Sequence, residues 1–153
     1  MVFKTSGELE KFLLGKCKIA LTIAQEKVYE IIDNCLNRFY GEYTPAEYIR
    51  TKQLLYSLVL GDVKKVGNEF IAEVYFDASR IHYSDVAAGK SGQLHKKERS
   101  DEEIFENAMT GAYPHGWWEK AGGTGIWTES SKHFNDMFNI LKKELIAQGI
   151  PIR

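Results

Sequence analysis

The chain has 153 residues, 44% of them hydrophobic and 27% charged, with a formal net charge of −1. That length suits one domain with one core, residues 1–153, and the near-neutral balance excludes nucleic-acid binding through bulk positive charge. The apolar run from Cys17 to Ala24 is broken by Lys18 and Thr22 and falls short of a membrane span, and the segment from Met1 to Gly7 lacks the apolar stretch of a secretory signal.

In chain order, Thr5-Ser6-Gly7-Glu8 has the form of a capping box and opens a short helix to Leu14, ended by Gly15. The clearest periodicity runs over residues 18–40. Leu21, Ala24, Val28, Ile31, Ile32, Cys35, Leu36 and Phe39 fall at steps of three and four on one helical face, with Gln25, Glu26, Glu30, Asp33 and Asn37 on the other. Gly41 closes this helix. The two cysteines, Cys17 and Cys35, match no zinc spacing and read as buried free thiols on the apolar stripe, as suits a reducing cytoplasm.

Thr44 and Pro45 fit the N-cap and first turn of a shorter helix that carries Tyr48, Thr51, Leu54, Leu55 and Leu58. The period then changes. Val63 to Val66, the Gly67-Asn68 turn and the stretch from Glu69 to Asp77 predict a β-hairpin, with Phe70, Ala72, Val74 and Phe76 on its apolar face. Residues 84–127 hold seven of the thirteen glycines and read as a long loop-rich insertion, helical only after the capping box Ser100-Asp101-Glu102-Glu103. Thr128 to Ser131 offer N-caps for a last helix, whose stripe is Phe134, Met137, Phe138, Leu141 and Leu145. Lys142 and Lys143 complement its dipole, and Gly149 and Pro151 end it. The fold class is α+β: a small antiparallel β-sheet packed against a long N-terminal helix and a C-terminal amphipathic helix.

Candidate chemistry is sparse. His82, His95, His115 and His133 form no zinc-binding motif; a metal site assembled from His82, Asp85 and His115 would make the chain a metal-dependent hydrolase or nuclease. Gly122-Gly123-Thr124-Gly125 lacks the lysine and the strand–helix setting of a phosphate cradle. Cys35, mid-helix on the stripe, is no place for a thiolate, and the acids at 101–103 suit a helix N-terminus. No catalytic residue, metal or cofactor is assigned.

A cluster of aromatic residues is more informative. Tyr113, Trp117, Trp118 and Trp127 lie with His115 in a glycine-rich setting and suit either a cover over the sheet or an interface with another protein. The cations Lys96, Lys97 and Arg99 stand beside Asp101, Glu102 and Glu103, a run that suits a solvated loop or, in an oligomer, a pairing of signs that steers subunit docking. Base stacking is disfavoured, since Lys120 is the one nearby cation.

The segment Tyr43 to Ser57, between a long helix and a strand-rich region, resembles the HK97 gp10-like family of head–tail joining and tail-completion proteins of tailed bacteriophages. The likeness spans residue 18 to the C-terminus. Its marks are the long helix, Thr44-Pro45, the turn Arg50-Thr51-x-x-Leu54-x-x-Ser57, the hairpin ending in Val74-Tyr75-Phe76, and the terminal helix. Members usually carry glycine after that threonine, where this chain has Lys52.

The resemblance implies a non-enzymatic virion protein that assembles with itself into a ring (a hexamer or dodecamer) in the neck or at the tail top. It would adjoin connector and tail proteins, with no membrane partner and with DNA met only in the ring lumen. Assembly would take place in the host bacterial cytoplasm. The loops of residues 84–127 would reach the next subunit. Two other readings stand beside it: a module binding a small ligand or host protein through Trp117, Trp118 and Trp127, and the metal-dependent hydrolase.

Overall fold

A computed structural model of the chain describes residues 2–41, 52–82, 86–88, 94–96, 100–110 and 125–152. The elements are α1 (Ser6–Gly41), α2 (Gln53–Ser57), β1 (Leu58–Leu60), β2 (Lys64–Val66), β3 (Glu69–Ile71), β4 (Val74–Phe76), a 3-10 turn (Ala78–Arg80), β5 (Val86–Ala88), β6 (Leu94–Lys96), α3 (Asp101–Thr110), α4 (Ile126–Ser131) and α5 (Phe134–Ala147). The class is α+β, as expected. The strands, however, do not make one sheet: among the described residues they form three two-stranded ribbons, β1–β4, β2–β3 and β5–β6.

The first two helices expected from the sequence are one. α1 runs unbroken for 36 residues. Gly15 lies inside it, exposed, because a single interior glycine costs only about 1 kcal/mol relative to alanine and does not outweigh propagation. At the N-terminus the Thr5 hydroxyl accepts from Glu8 N–H at 3.2 Å, as a capping box requires. The Glu8 carboxylate reaches one residue farther than expected and accepts from Lys4 N–H at 2.8 Å. Along α1 the buried apolar residues are Ala24, Ile32, Leu36 and Phe39, all on the expected face, and Ala20, which the expected stripe did not include. Cys17 and Cys35 are free thiols, half-buried rather than fully buried.

The chain divides into two compact units, each built from separated segments. Unit 1 takes residues 1–30, 60–75 and 133–153; unit 2 takes 31–59 and 76–132.

In unit 1 the hairpin forms as expected. β2 and β3 pair antiparallel with Lys64 opposite Ile71, Lys65 opposite Phe70 and Val66 opposite Glu69, around a turn with Gly67 at φ 60°. The stretch 69–77 is not one strand, however. It breaks at Ala72 and Glu73, and β4 then pairs with β1 instead. The break is fixed by Gly61, whose N–H donates to Glu73 O at 2.9 Å.

Gln25, expected on the wet face of α1, is instead 5% exposed. Its Nε2 donates to Gly61 O at 2.7 Å and to Glu73 O at 2.8 Å. The polar side chain is buried because two backbone carbonyls need its donors. α5 ends as read: Gly149 adopts φ 82°, with Gly149 N–H on Ile146 O at 2.8 Å and Ile150 N–H on Leu145 O at 3.0 Å. Lys142 and Lys143 sit before the last turn, which holds no cation. Phe138, placed on the apolar stripe, is 70% exposed, while Met137, Leu141 and Leu145 are half-buried.

Unit 2 has the larger set of buried residues: Ile32, Leu36, Phe39, Leu54, Ser57, Leu58, Ile81, Ile126 and Ser130. α3 packs on α4, and Phe76 meets Phe105 edge-on with ring centroids 5.6 Å apart. The expected helix from Pro45 to Leu58 does not pass through Lys52, which stands at φ 58°, ψ 18°; α2 starts after it, and Leu58 is already extended. Thr44, Pro45, Tyr48, Arg50 and Thr51 lie outside the described residues.

Within the stretch expected to be loop-rich, β5 and β6 pair antiparallel with Val86 opposite Lys96, Ala87 opposite His95 and Ala88 opposite Leu94, and α3 starts directly after Ser100. The helix expected after Thr128 already exists before it. α4 begins at Ile126, and a turn at Lys132 and His133 separates it from α5. The hydroxyls expected as caps bond backward, Ser130 Oγ to Ile126 O at 2.8 Å and Ser131 Oγ to Thr128 O at 2.9 Å, which holds them inside α4.

Candidate interaction surface

Of the residues singled out for partner contact, Trp127 is the one whose side chain the structure describes. It stands in the first turn of α4 at 52% exposure, beside the buried Ile126. It therefore belongs to a helix, not to the glycine-rich loop. Tyr113, His115, Trp117, Trp118, Lys97 and Arg99 lie outside the described residues, and Lys96 is the last residue of β6.

Charges order the exposed side of α4. Glu129 takes Arg38 at 3.0 Å and Lys132 at 2.5 Å. Lys132's hydrogen bond, followed by that of Arg38, holds the Glu129 carboxyl below the usual range. The network ties α4 to the C-terminal turn of α1, within unit 2.

A second ordered node in unit 2 joins α2 to the 3-10 turn. Asp77 Oδ1 accepts from Ser79 N–H at 3.1 Å and from Ser79 Oγ at 2.6 Å, and Asp77 Oδ2 takes Arg80 Nε at 2.9 Å. The Ser79 hydroxyl is the main reason the Asp77 carboxyl titrates below its ordinary value. Arg80 also donates to Tyr56 O at 3.3 Å, Asp77 N–H to Ser57 O at 2.8 Å, and His82 N–H to Gln53 Oε1 at 2.7 Å.

This node accounts for the residues of the turn that runs to Ser57. Leu54 is 1% exposed and Ser57 is 0% exposed, with the Ser57 hydroxyl donating to Leu54 O at 2.8 Å. Lys52 takes the left-handed conformation that glycine adopts most easily. Each of the three positions is thus set by backbone or packing, leaving the exposed Tyr56, at 65%, as the side chain of α2 available to a partner. Sequence reading gave Tyr56 no role; its place directly before the buried Ser57 was the available signal.

For the metal reading, His82 is exposed two residues past the 3-10 turn, while Asp85 and His115 lie outside the described residues. Among the described residues no three acids, histidines or cysteines gather to hold an ion. Likewise, no helix among them is long and apolar enough to cross a membrane.

Compared with known proteins, the chain matches the family model YomN over residues 6–148. No curated protein and no solved structure matches it.

Proposed function

The chain belongs to the YomN family, a family associated with phage SPβ and with prophages, so it is a phage-related protein, and from that premise we propose that it is a structural part of the virion. In this reading it is a subunit of the head–tail connector or tail-completion ring and joins head to tail by assembling with copies of itself. Its neighbours are the adjacent connector and tail proteins. It works by binding rather than by catalysis, and DNA meets it only in the ring lumen. It is built into particles in the host bacterial cytoplasm.

The observation that carries the proposal is the turn at residues 52–57. In the resembled connector family this position usually holds glycine, and here Lys52 keeps a glycine-like φ of 58°. The leucine and serine of the same pattern, Leu54 and Ser57, are fully buried and bonded to each other. A left-handed backbone at the one position of the pattern where glycine is usual is what the resemblance leads one to expect, and it supports the reading. The element order adds to this: a long helix, a hairpin, and a closing amphipathic helix. Trp127, half exposed on a helix braced by the Arg38–Glu129–Lys132 network, supplies a rigid aromatic anchor of the kind interfaces favour.

Electron microscopy and light scattering of the purified protein, with mass spectrometry of purified phage particles, test the proposal. Closed rings and a stoichiometric place in the particle are expected. A chain that stays monomeric at high concentration and is missing from particles overturns it.

A further inference from the structure

The face of α1 around Thr22 is its own complement. Lys18 stands four residues before Thr22 and Glu26 four after; Gly15 stands seven before and Tyr29 seven after. Steps of four and seven keep all five on one side of the helix. Lys18 and Glu26 are exposed, and among the described residues neither has an ion-pair partner. A Cβ built on Gly15 would meet nothing within 4 Å, so there is open space above it. The Thr22 hydroxyl is already satisfied by Lys18 O at 3.0 Å and asks nothing of a neighbour. Along one flank, Ile19 (45% exposed) and Ile23 line a shallow hollow together with Lys18, Thr22 and Glu26.

We propose that a second copy of this chain docks antiparallel along this face, about a two-fold axis beside Thr22. Under that symmetry a residue before Thr22 faces the residue equally far after it in the other copy. Lys18 of each copy then meets Glu26 of the other, twice per dimer. The Tyr29 ring enters the open space above Gly15. Ile19 and Ile23 keep to the same flank in both copies and close into one cluster of four isoleucines. A parallel copy would set Lys18 against Lys18, and a partner of single charge sign would satisfy half of the face. The antiparallel copy is therefore the occupant that matches charge, size and apolar flank together. Such a contact is isologous, unlike the head-to-tail contact that closes a ring, and stands independently of the ring reading.

Two measurements on the full chain test it. In the first, Thr22→Cys in a Cys17→Ser, Cys35→Ser background is oxidised mildly beside a control, Glu10→Cys, an exposed position off this face, about 120° around α1 from Thr22. A disulfide-linked dimer that forms much faster for T22C is expected; equal rates overturn the proposal. In the second, sedimentation compares the native chain with K18E, E26K and the double reversal, all at exposed positions where folding is not at risk. Each single reversal turns two attractive pairs repulsive and is expected to weaken self-association about tenfold, with the double variant restored to near the native value. A double variant no tighter than the singles overturns it. Rings without T22C linkage would refute this contact alone, and T22C linkage without rings would refute the ring alone.

Discussion

Gln25 is the sharpest test of how unit 1 is held together. Its amide nitrogen is the donor that joins α1 to the two chain segments meeting at Gly61 and Glu73. In Gln25→Ala, Glu73 O keeps the Gly61 N–H at 2.9 Å, whereas Gly61 O loses its donor. An orphaned acceptor costs about 1–3 kcal/mol and a lost second bond about 0.5–1.5 kcal/mol, and both bonds are only part-buried, so a loss of about 2 kcal/mol is expected. Gln25→Glu adds a diagnostic. A carboxylate there faces two carbonyl oxygens, so its folded-state pKa is expected above the unfolded value of about 4.3. A raised acid pKa destabilises at neutral pH, and the penalty shrinks as pH falls toward the unfolded pKa. Urea unfolding followed by far-UV circular dichroism at pH 7 and pH 5 reads both effects. The reasoning fails if Q25A lies within about 0.5 kcal/mol of the native chain, or if the Q25E penalty is the same at both pH values.

Lys52→Gly is expected to be neutral or to stabilise by up to about 1 kcal/mol, since it relieves a left-handed lysine and loses some unfolded-state restriction; K52V is expected to destabilise by more than about 1 kcal/mol, both by thermal and urea melts. Leu54→Ala, at a site 1% exposed, is expected to lose about 2–4 kcal/mol in the same melts. Glu129 has a depressed folded-state pKa, so its contribution is complete above the unfolded pKa and is lost as pH falls through the folded one. E129Q is therefore expected to be less stable than the native chain at pH 7 and to converge with it at acid pH, in a melting series from pH 7 to pH 3. Trp127→Ala is expected to abolish ring assembly while lowering the melting midpoint only moderately, because about half of its surface is packed within the subunit and half is exposed. A large drop in the midpoint would make it a core residue instead.

Strong periodicity made much of the architecture readable. The apolar stripe on α1, the hairpin with its glycine turn, and the Gly149 stop of α5 all rest on local chemistry, and all are present. The failures share a cause: the deciding partner lay far away in sequence or competed with a local rule. Gln25 looks like a solvent-face residue until Gly61 and Glu73, 36 and 48 residues on, present their carbonyls. The alternation from Phe70 to Phe76 correctly sorted inward from outward residues, but alternation does not register a change of partner strand at Ala72–Glu73. Gly15 was weighed as a breaker when its penalty was small against a 36-residue helix. Hydroxyls in 128–131 suit caps and back-bonds equally, and here two of them back-bond. For the site, the sequence drew attention to Trp127 but placed it in a loop, and a half-exposed tryptophan on a helix is a stiffer contact than a loop would provide.

The clasp between Gly61 and Glu73 also makes the hairpin from β2 to β3 a self-contained appendage. Its stem is pinned at both ends by Gln25, and β2 is exposed along its whole length. Foreign residues spliced between Gly67 and Asn68 would lengthen the tip without disturbing the pinned base. That tip is accordingly the natural place to attach a fluorescent or epitope label for following the protein into particles, whereas the same graft at Ala72 or Glu73 would pull the clasp apart.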